Sequence, residues 1–272
     1  MGGNFNLLTM KKFHQYKNRP QANKTGWENV SRWYGEHVKE EGNLLTSVVY
    51  PAVLKELGEL RGKKLLDIAC GEGAFSRLAA NTALSVTGFD IAPSLTLRAK
   101  QAATKNSVYF VADAENFASA LKNEKFDAVV CILAIQNIKN FEKVFANAST
   151  ALKPGATFVI AMNHPVFRIP RQSAWGWEEE RKIQYRRIDA YMSDLTIPIV
   201  AHPGEKNSAK TYSFHRPIST YINTLAKNGF AVTGMEELIS NRLSDPGARA
   251  KAENRARTEI PMFLILRAIK IN

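Results

Sequence analysis

Cysteine is scarce in this chain, with two residues, Cys70 and Cys131, among 272. Both lie in apolar, strand-like surroundings, so the sequence supports neither a disulfide scaffold nor a cysteine-rich zinc site and favours a reducing, cytoplasmic setting. No apolar run reaches the roughly eighteen residues that a membrane span needs, and no apolar signal segment follows the basic N-terminal residues. A secreted or membrane-spanning protein is therefore not expected.

A cluster of histidine and acidic residues with the spacing of metal ligands is also lacking, so no metal is expected. Internal repeats and low-complexity tracts are absent from the sequence as well. Hydrophobic residues make up 45% of the chain, which is enough to bury a full core. The length fits one large α/β domain or a domain with an insertion.

The net charge of +12 raises the question of a nucleic-acid partner. The excess of lysine and arginine is spread along the chain rather than gathered in one segment. Its densest local run lies within 242–257 and contains Arg249, Lys251, Arg255 and Arg257. A solvated helix face is the favoured interpretation of this run, and a phosphate-bearing partner is left open.

Residues 1–62 are predicted to form an N-terminal arm and covering helices, because helical spacing begins only near Trp27. Residues 63–162 alternate strand-like and helical runs, which is typical of a parallel sheet wrapped by helices. The predicted strands lie near 64–69, 85–89, 108–112, 127–132 and 156–162. A final pair near 230–235 and 260–269 is expected to form an antiparallel edge.

Residues 163–213 interrupt this alternation and are interpreted as an insertion rich in aromatic residues. Two structures remain open for it: a substrate lid, or a small strand pair that covers the sheet edge. A dimer contact is a further possibility, since the chain is expected to be a monomer or a homodimer. After the insertion, Pro217 predicts the start of a helix that Asn228 and Gly229 would end.

The most informative segment joins an apolar strand to a glycine turn and runs from Lys64 to Gly73. Gly71 and Gly73 allow a sharp turn and let a ligand approach without a Cβ in the way. Asp67 stands inside the apolar strand, where a carboxylate is costly unless a donor or a cation meets it. The segment predicts a ligand-binding turn at the carboxyl end of the first strand.

Two further acids follow the next two predicted strands. Asp90 ends the second strand, where a carboxylate can accept hydrogen bonds from both hydroxyls of a ribose. Asp113 follows the third strand and could accept a bond from an adenine amino group. Each acid alone is also explained as a helix cap or turn residue, but together the three indicate a binding crevice.

In this order the residues resemble class I S-adenosylmethionine-dependent methyltransferases, more narrowly the small-molecule branch that includes ubiquinone and menaquinone biosynthesis methyltransferases. The resemblance covers residues 45–165 and rests on Asp67-x-x-x-Gly71-x-Gly73, Asp90, Asp113-Ala114, Phe126-Asp127-Ala128-Val129-Val130-Cys131 and Leu152-Lys153-Pro154-Gly155-Ala156. Ala69 departs from the family, whose fuller motif has its first glycine there. The resemblance implies an α/β fold with a Rossmann-like, seven-stranded, mostly parallel sheet, helices on both faces and an antiparallel C-terminal edge strand.

By this resemblance, residues 63–272 form the methyltransferase domain, S-adenosylmethionine is the cofactor and S-adenosylhomocysteine is the product. Asp67 would lie near the methionyl amine or its water, Asp90 would hold the ribose and Asp113 would meet the adenine. The other implied cofactor-binding residues are Ala69, Gly71, Gly73, Ile91, Ala114 and Leu133. A cofactor that is cationic and carries no phosphate suits an acid-lined pocket.

Methyl transfer needs a dry pocket that aligns donor and acceptor, and a base helps where the acceptor is a hydroxyl or an acidic carbon. His164 follows the predicted fifth strand and is the candidate catalytic base, with a structural loop hydrogen bond as the alternative. His164 is also a candidate substrate contact, together with Tyr34, Gln136, Tyr191, His202 and His215. The acceptor is expected to be a small molecule whose reacting atom, oxygen, nitrogen or carbon, the sequence does not identify.

Other functions stay open. A nicotinamide-dependent oxidoreductase shares the glycine turn and the acid after the second strand, but Ser76 stands where its third glycine belongs. A nucleic-acid methyltransferase would fit the basic charge, but residues 132–136 replace the Asn/Asp-Pro-Pro-aromatic turn of adenine-methylating enzymes. A cofactor-binding protein without catalysis is the third alternative.

Overall fold

A seven-stranded sheet forms the centre of the computed structural model, which describes residues 26–28, 43–200 and 208–271. The strands are β1 Lys64–Ile68, β2 Ser85–Asp90, β3 Ser107–Val111, β4 Phe126–Ile132, β5 Leu152–Asn163, β6 Ser173–Glu178, β7 Ile183–Ile188, β8 Leu195–Val200, β9 Lys210–His215, β10 Phe230–Leu238 and β11 Phe263–Lys270. The helices are α1 Tyr50–Leu57, α2 Ala74–Ala79, α3 Pro93–Gln101, α4 Phe141–Ala151, α5 Ile218–Lys227 and α6 Ala250–Glu259. A π-helical turn, Leu45–Val49, precedes α1, and short 3₁₀ turns occupy Ala118–Leu121 and Ile135–Asn137.

The strand order is β10-β11-β5-β4-β1-β2-β3, and the pairs among β1 to β5 are parallel. The C-terminal strand β11 pairs antiparallel with both β5 and the edge strand β10. This arrangement confirms the predicted seven-stranded, mostly parallel sheet with its antiparallel C-terminal edge. Leu65, Leu66 and Ile68 of β1 are fully buried, as expected for a central parallel strand that is covered on both faces.

Helices cover both faces of the sheet, as predicted. The apolar side of α1 packs with one face, in a cluster that contains Val53, Leu57, Leu65, Val130 and Val159. Helices α4 and α5 pack on the other face, in a cluster that contains Val144, Phe145, Tyr221, Leu225, Leu66 and Phe158. Burial of these two apolar stripes against the sheet supplies the main stabilisation of the fold.

The order of the strands positions a crevice beside β1. The chain proceeds from β1 to β2 and β3 on one side and then returns to place β4 on the other side of β1. Loops that leave the carboxyl ends of β1 and β4 therefore diverge, which opens a gap at that edge of the sheet. Open α/β sheets bind ligands at such a switch point.

The ends of α5 and the start of β5 are set by residues that the structure identifies. Pro217 precedes α5, and Gly229, with a φ of 77°, follows its end, as predicted. Strand β5 begins at Leu152, four residues before the expected start at 156, because Leu152 already pairs with Phe126. The register then shifts near Gly155, whose φ is 75°, so this turn lies inside the strand.

The predicted insertion, 163–213, forms two antiparallel hairpins, β6–β7 and β8–β9. The first packs against α6, and β9 of the second packs against the 3₁₀ turn Ile135–Asn137. Two predicted substrate contacts, Tyr34 and His202, lie outside the described residues. Within the described ranges, no helix has the length and apolar composition needed to cross a membrane.

Candidate functional site

A cleft opens at the carboxyl ends of β1, β2, β3 and β4 and encloses about 810 Å³, including its open mouth. Seven of the nine residues predicted to bind the cofactor line it, namely Ala69, Gly71, Asp90, Ile91, Asp113, Ala114 and Leu133. Because the ends of parallel strands meet at one edge, these residues converge although they lie far apart in the chain.

Charge of one sign characterises this cleft. Its acidic lining residues are Asp90, Asp113 and Glu115, and its remaining lining residues are mainly apolar. Among the lining residues in the described part of the chain, none is lysine, arginine or histidine. The cleft therefore favours a cationic ligand and disfavours a phosphate.

Asp90 is held at the end of β2 with its side chain 7% exposed. The Gly71 amide donates to Oδ2 and the Ala92 amide donates to Oδ1, each at 2.9 Å. Burial raises the pKa of Asp90, although these backbone donors oppose the effect. The Ile91 amide is a third backbone donor to this carboxylate, which has about four acceptor sites and so can accept a further hydrogen bond from a ligand.

The backbone around the cleft adopts left-handed conformations at residues other than glycine. Ala69 has a φ of 55° and Leu133 has a φ of 50°, and both line the cleft. This conformation costs an L-residue roughly 1–2 kcal/mol. Glycine at position 69 would adopt this conformation without that cost.

Asp67 and Gly73 do not line the cleft. Asp67 is 2% exposed and accepts a hydrogen bond of 2.5 Å from Ser76 Oγ. Burial raises the pKa of Asp67 to about 7. A Cβ on Gly73, whose φ is 73°, would lie 3.0 Å from the ring of Tyr109, so glycine is needed for the turn itself.

The acids after β3 play different parts. Asp113 is exposed, and its Oδ1 accepts the Glu115 amide at 2.9 Å. Glu115 was missed by sequence reasoning, because its partner Asn140 is distant in the chain. The Asn140 amide and Nδ2 donate to the Glu115 carboxylate at 3.0 and 2.6 Å, which fixes this acid at the cleft wall.

Trp27 is a second cleft residue that the sequence pattern did not identify. It lines the cleft from the N-terminal segment. The next residue, Glu28, accepts hydrogen bonds from the amide and hydroxyl of Ser94 at 3.2 and 3.0 Å, at the start of α3. A tryptophan at the start of a helical pattern is the one signal that pointed to this segment.

The central part of the chain is similar to known proteins. Residues 66–160 match the family model described as a methyltransferase domain. A demethylmenaquinone methyltransferase of Tropheryma whipplei (strain Twist) is 30% identical over 115 residues, which are 42% of this chain and 48% of that protein. A ubiquinone biosynthesis O-methyltransferase of Glaesserella parasuis serovar 5 (strain SH0165) is 32% identical over 111 residues, 38% of this chain and 47% of that protein. The crystal structure of an S-adenosylmethionine dependent methyltransferase from Mesorhizobium loti is 27% identical, with a TM-score of 0.65 over 80% of this chain and 96% of that chain.

Residues 66–160 are thus similar to a methyltransferase domain, and the fold is similar to that of an S-adenosylmethionine dependent methyltransferase. The family match extends from β1 into β5, the strands whose ends form the cleft. The chain spans about half the length of the curated relatives it matches. The fold is therefore shown, and the domain match over residues 66–160 agrees with the resemblance noted from the motifs.

His164 follows β5 and is fully buried. Its Nε2 lies 2.8 Å from Glu237 Oε1, while the amides of Val166 and Phe167 donate to Nδ1 at 3.2 and 3.4 Å. Burial lowers the pKa of His164 despite the Glu237 carboxylate. Both ring nitrogens are thus used to hold the loop, and His164 does not line the cleft. The role of catalytic base stays a prediction that this geometry does not support.

The structure brings two of the predicted substrate contacts together. His215 Nε2 donates to the carbonyl oxygen of Tyr191 at 2.7 Å, and the Ile218 amide donates to Tyr191 Oη at 3.1 Å. Burial lowers the pKa of His215. The adjacent Arg216 donates from Nη2 to the carbonyl oxygen of Ile138, a cleft residue, at 3.1 Å. This link, which sequence reasoning missed, joins the second hairpin to the cleft wall.

Gln136 lies in the turn that borders the cleft. Its Nε2 donates to the carbonyl oxygen of Leu133 at 2.7 Å. Its Oε1 is buried and has no hydrogen-bond partner among the described residues. A buried acceptor without a partner is costly, and Gln136 does not itself line the cleft in this structure.

Proposed function

We propose that this domain transfers a methyl group from S-adenosylmethionine to a small-molecule acceptor. The observation that carries the proposal is the charge of the cleft, where Asp90, Asp113 and Glu115 stand without a basic neighbour among the described lining residues. When bound, S-adenosylmethionine supplies an electrophilic methyl group on a cationic sulfur. The acids favour that charge, and the apolar walls exclude water from the reaction.

Asp90 is proposed to hold the ribose of the cofactor. Its carboxylate is oriented by the amides of Gly71 and Ala92, so its remaining acceptor capacity is fixed in direction before a ligand arrives. Ile91 and Ala114 are proposed to pack on the adenine, with Asp113 near its amino group and Trp27 covering the cleft. Asp67 is proposed to support the cofactor site indirectly, because its hydrogen bond with Ser76 holds the glycine turn in place.

A small acceptor is favoured by the apolar turn that follows β4. Ile132, Leu133, Ala134 and Ile138 line the cleft there, and none of them carries charge. The matched relatives are named for menaquinone and ubiquinone biosynthesis, and an acceptor of the quinone type would suit these uncharged walls. Gln136, Tyr191 and His215 are proposed as contacts on the acceptor side. Both cysteines are free, which is consistent with the expected reducing, cytoplasmic setting.

Isothermal titration of the pure protein tests the cofactor, with S-adenosylhomocysteine and NADH as the two ligands. We expect heat from the first and none from the second, because a pyrophosphate would face the acidic wall. Asp90→Ala should weaken S-adenosylhomocysteine at least about tenfold, since two hydroxyls lose a charged acceptor. Glu142→Ala, which removes an exposed acid from α4, is the matched control and should bind S-adenosylhomocysteine with the affinity of the wild type. Equal binding by wild type and Asp90→Ala would contradict the assignment.

A transfer assay with radiolabelled S-adenosylmethionine tests the acceptor class. A demethylated quinone analogue and total RNA are supplied in parallel, and label in the quinone fraction is expected. Label in RNA instead, with binding that falls steeply as salt rises, would support the nucleic-acid alternative. Folding of each variant is checked by near-ultraviolet circular dichroism, because the Asp90 carboxylate also holds two backbone amides.

A further inference from the structure

A second pocket of about 550 Å³, including its open side, lies between the first hairpin, α6 and the loops after β5 and β10. Its charged lining residues are Arg168, Arg186 and Arg257. In the part of the chain that the structure describes, none of its lining side chains is acidic. Its charge is therefore opposite to that of the cofactor cleft, and its lining shares no residue with that cleft.

Two of the arginines are held in place by neutral groups. Arg186 donates from Nε to the carbonyl oxygen of Phe167 at 2.7 Å and from Nη2 to Ser173 Oγ at 2.9 Å. Arg257 donates from Nε to Ser244 Oγ at 3.2 Å. Neither pairs with a carboxylate of a described residue. Their positions are thus fixed while their charges remain uncompensated.

Arg168 is the least satisfied of the three. Its guanidinium lies 5.8 Å from the centre of the Phe263 ring, and it makes no hydrogen bond or ion pair with any described residue. Burial and the neighbouring Arg186 lower the pKa of Arg168, which shows that the charged form is disfavoured in this setting. Like charges that share a partly buried pocket repel each other, and an anion between them would relieve that repulsion.

Apart from Ser240, the remaining lining of the pocket is apolar and aromatic. Trp175 stands under the Arg186 guanidinium at 5.1 Å from the ring centre, and Phe167, Ile260 and Met262 complete the wall. A ring or alkyl part of a ligand can pack there while its acidic group meets the arginines. Of the basic run noted between 242 and 257, only Arg257 contributes to this pocket.

The geometry points to a binding site for a small organic anion, with a phosphate or carboxylate between Arg168, Arg186 and Arg257 and an apolar part against Trp175. The site is separate from the cofactor cleft and does not depend on the proposed methyl transfer. Guanidinium groups bind both phosphate and carboxylate in bidentate fashion, so both acids share the chemistry that the pocket recognises.

Titration calorimetry with phenyl phosphate and with benzoate distinguishes the two acids, while inorganic phosphate tests the need for a ring. We expect one aromatic anion to bind with a dissociation constant below about 1 mM and more tightly than inorganic phosphate. Arg168→Gln should weaken it at least about tenfold, because one charge-assisted contact is lost. Arg168→Lys, which keeps the charge, should retain part of the affinity.

Arg255→Gln is the matched control, because it removes the same charge from an exposed position of α6. It should change the affinity by less than about twofold. The side chain of Arg168 makes no hydrogen bond with a described residue, so its replacement is not expected to unfold the protein, and circular dichroism checks this. Saturation of the protein with S-adenosylhomocysteine should leave the affinity for the aromatic anion unchanged. No binding of either aromatic anion, an equal loss in Arg255→Gln, or displacement by S-adenosylhomocysteine would overturn the proposal.

Discussion

Replacement of the buried acid Asp67 by asparagine should make the protein more stable at alkaline pH. Asp67 has a pKa of about 7 in the folded protein against an ordinary value of 3.8, because burial disfavours its charged form. At about 1.4 kcal/mol for each pKa unit, ionisation of Asp67 costs the folded state about 4 kcal/mol. The asparagine amide introduced by Asp67→Asn cannot ionise, and its oxygen can still accept the hydroxyl of Ser76.

The sign follows from where the proton is bound. Between pH 4 and pH 7 the folded protein keeps the Asp67 proton while the unfolded chain releases it, so stability falls as the pH rises through this window. Below pH 3.8, the pKa of Asp67 in the unfolded chain, the protonated carboxyl contributes its full stabilisation. Above about pH 7 the free energy of unfolding falls no further through this group. Relative to wild type, Asp67→Asn should therefore gain about 3 kcal/mol between pH 4.5 and pH 8.5.

Urea unfolding followed by circular dichroism at several pH values measures this gain. The difference between the two proteins is compared across pH, so any fixed penalty of the new amide cancels. Asp127→Asn is the matched control, because the pKa of Asp127 is shifted in the opposite direction. Partial burial would raise the pKa of Asp127, but donors from Lys153 Nζ and the Lys64 amide outweigh it and lower the pKa. This control should lose stability above pH 4. A pH-independent difference between wild type and Asp67→Asn would refute the reasoning.

Two further predictions concern the loop after β5 and the glycine turn. His164→Ala should destabilise the protein by about 1–3 kcal/mol, since two amides lose their acceptor, while turnover per folded molecule stays unchanged. Burial lowers the pKa of His164 below 6.5, so neutral His164 contributes its full stabilisation above that pH and loses it as the pH falls. The free energy of unfolding of His164→Ala should therefore decrease less steeply in acid than that of the wild type. A fall in kcat without a loss of stability would instead support the catalytic base. Ala69→Gly should gain about 0.5–1 kcal/mol in unfolding free energy, because relief of a φ of 55° exceeds the added chain entropy. Ala146→Gly, in the exposed middle of α4, should lose about 1 kcal/mol, and a loss at both positions would rule out strain at Ala69.

Local patterns predicted much of the fold for a physical reason. Parallel strands such as β1 and β4 are buried on both faces, so they appear in the sequence as short apolar runs between helical segments. The acids Asp90 and Asp113 stand directly after such runs, and the strand ends of a parallel sheet share one edge. Their convergence on one cleft was therefore predictable from position along the chain.

Side-chain roles that depend on distant partners were not predictable in this way. His164 has the position of a catalytic base in the sequence, but Glu237, 73 residues later, holds its ring inside the protein. Asp67 has the position of a cofactor ligand, but Ser76 meets it beneath the turn. In both residues, the polar side-chain atoms that the sequence pattern assigned to a ligand make hydrogen bonds within the folded chain instead.

By itself, the sequence determined the sheet, the glycine turn and the acids that end its strands, because each of these depends on residues that are close together in the chain. Tertiary structure alone decided that Trp27 and Glu115 would complete the cleft. It also gathered Arg168, Arg186 and Arg257 around a second pocket from a loop, a hairpin and a helix. These groupings depend on how separate elements pack against one another, and no local spacing in the chain records that packing.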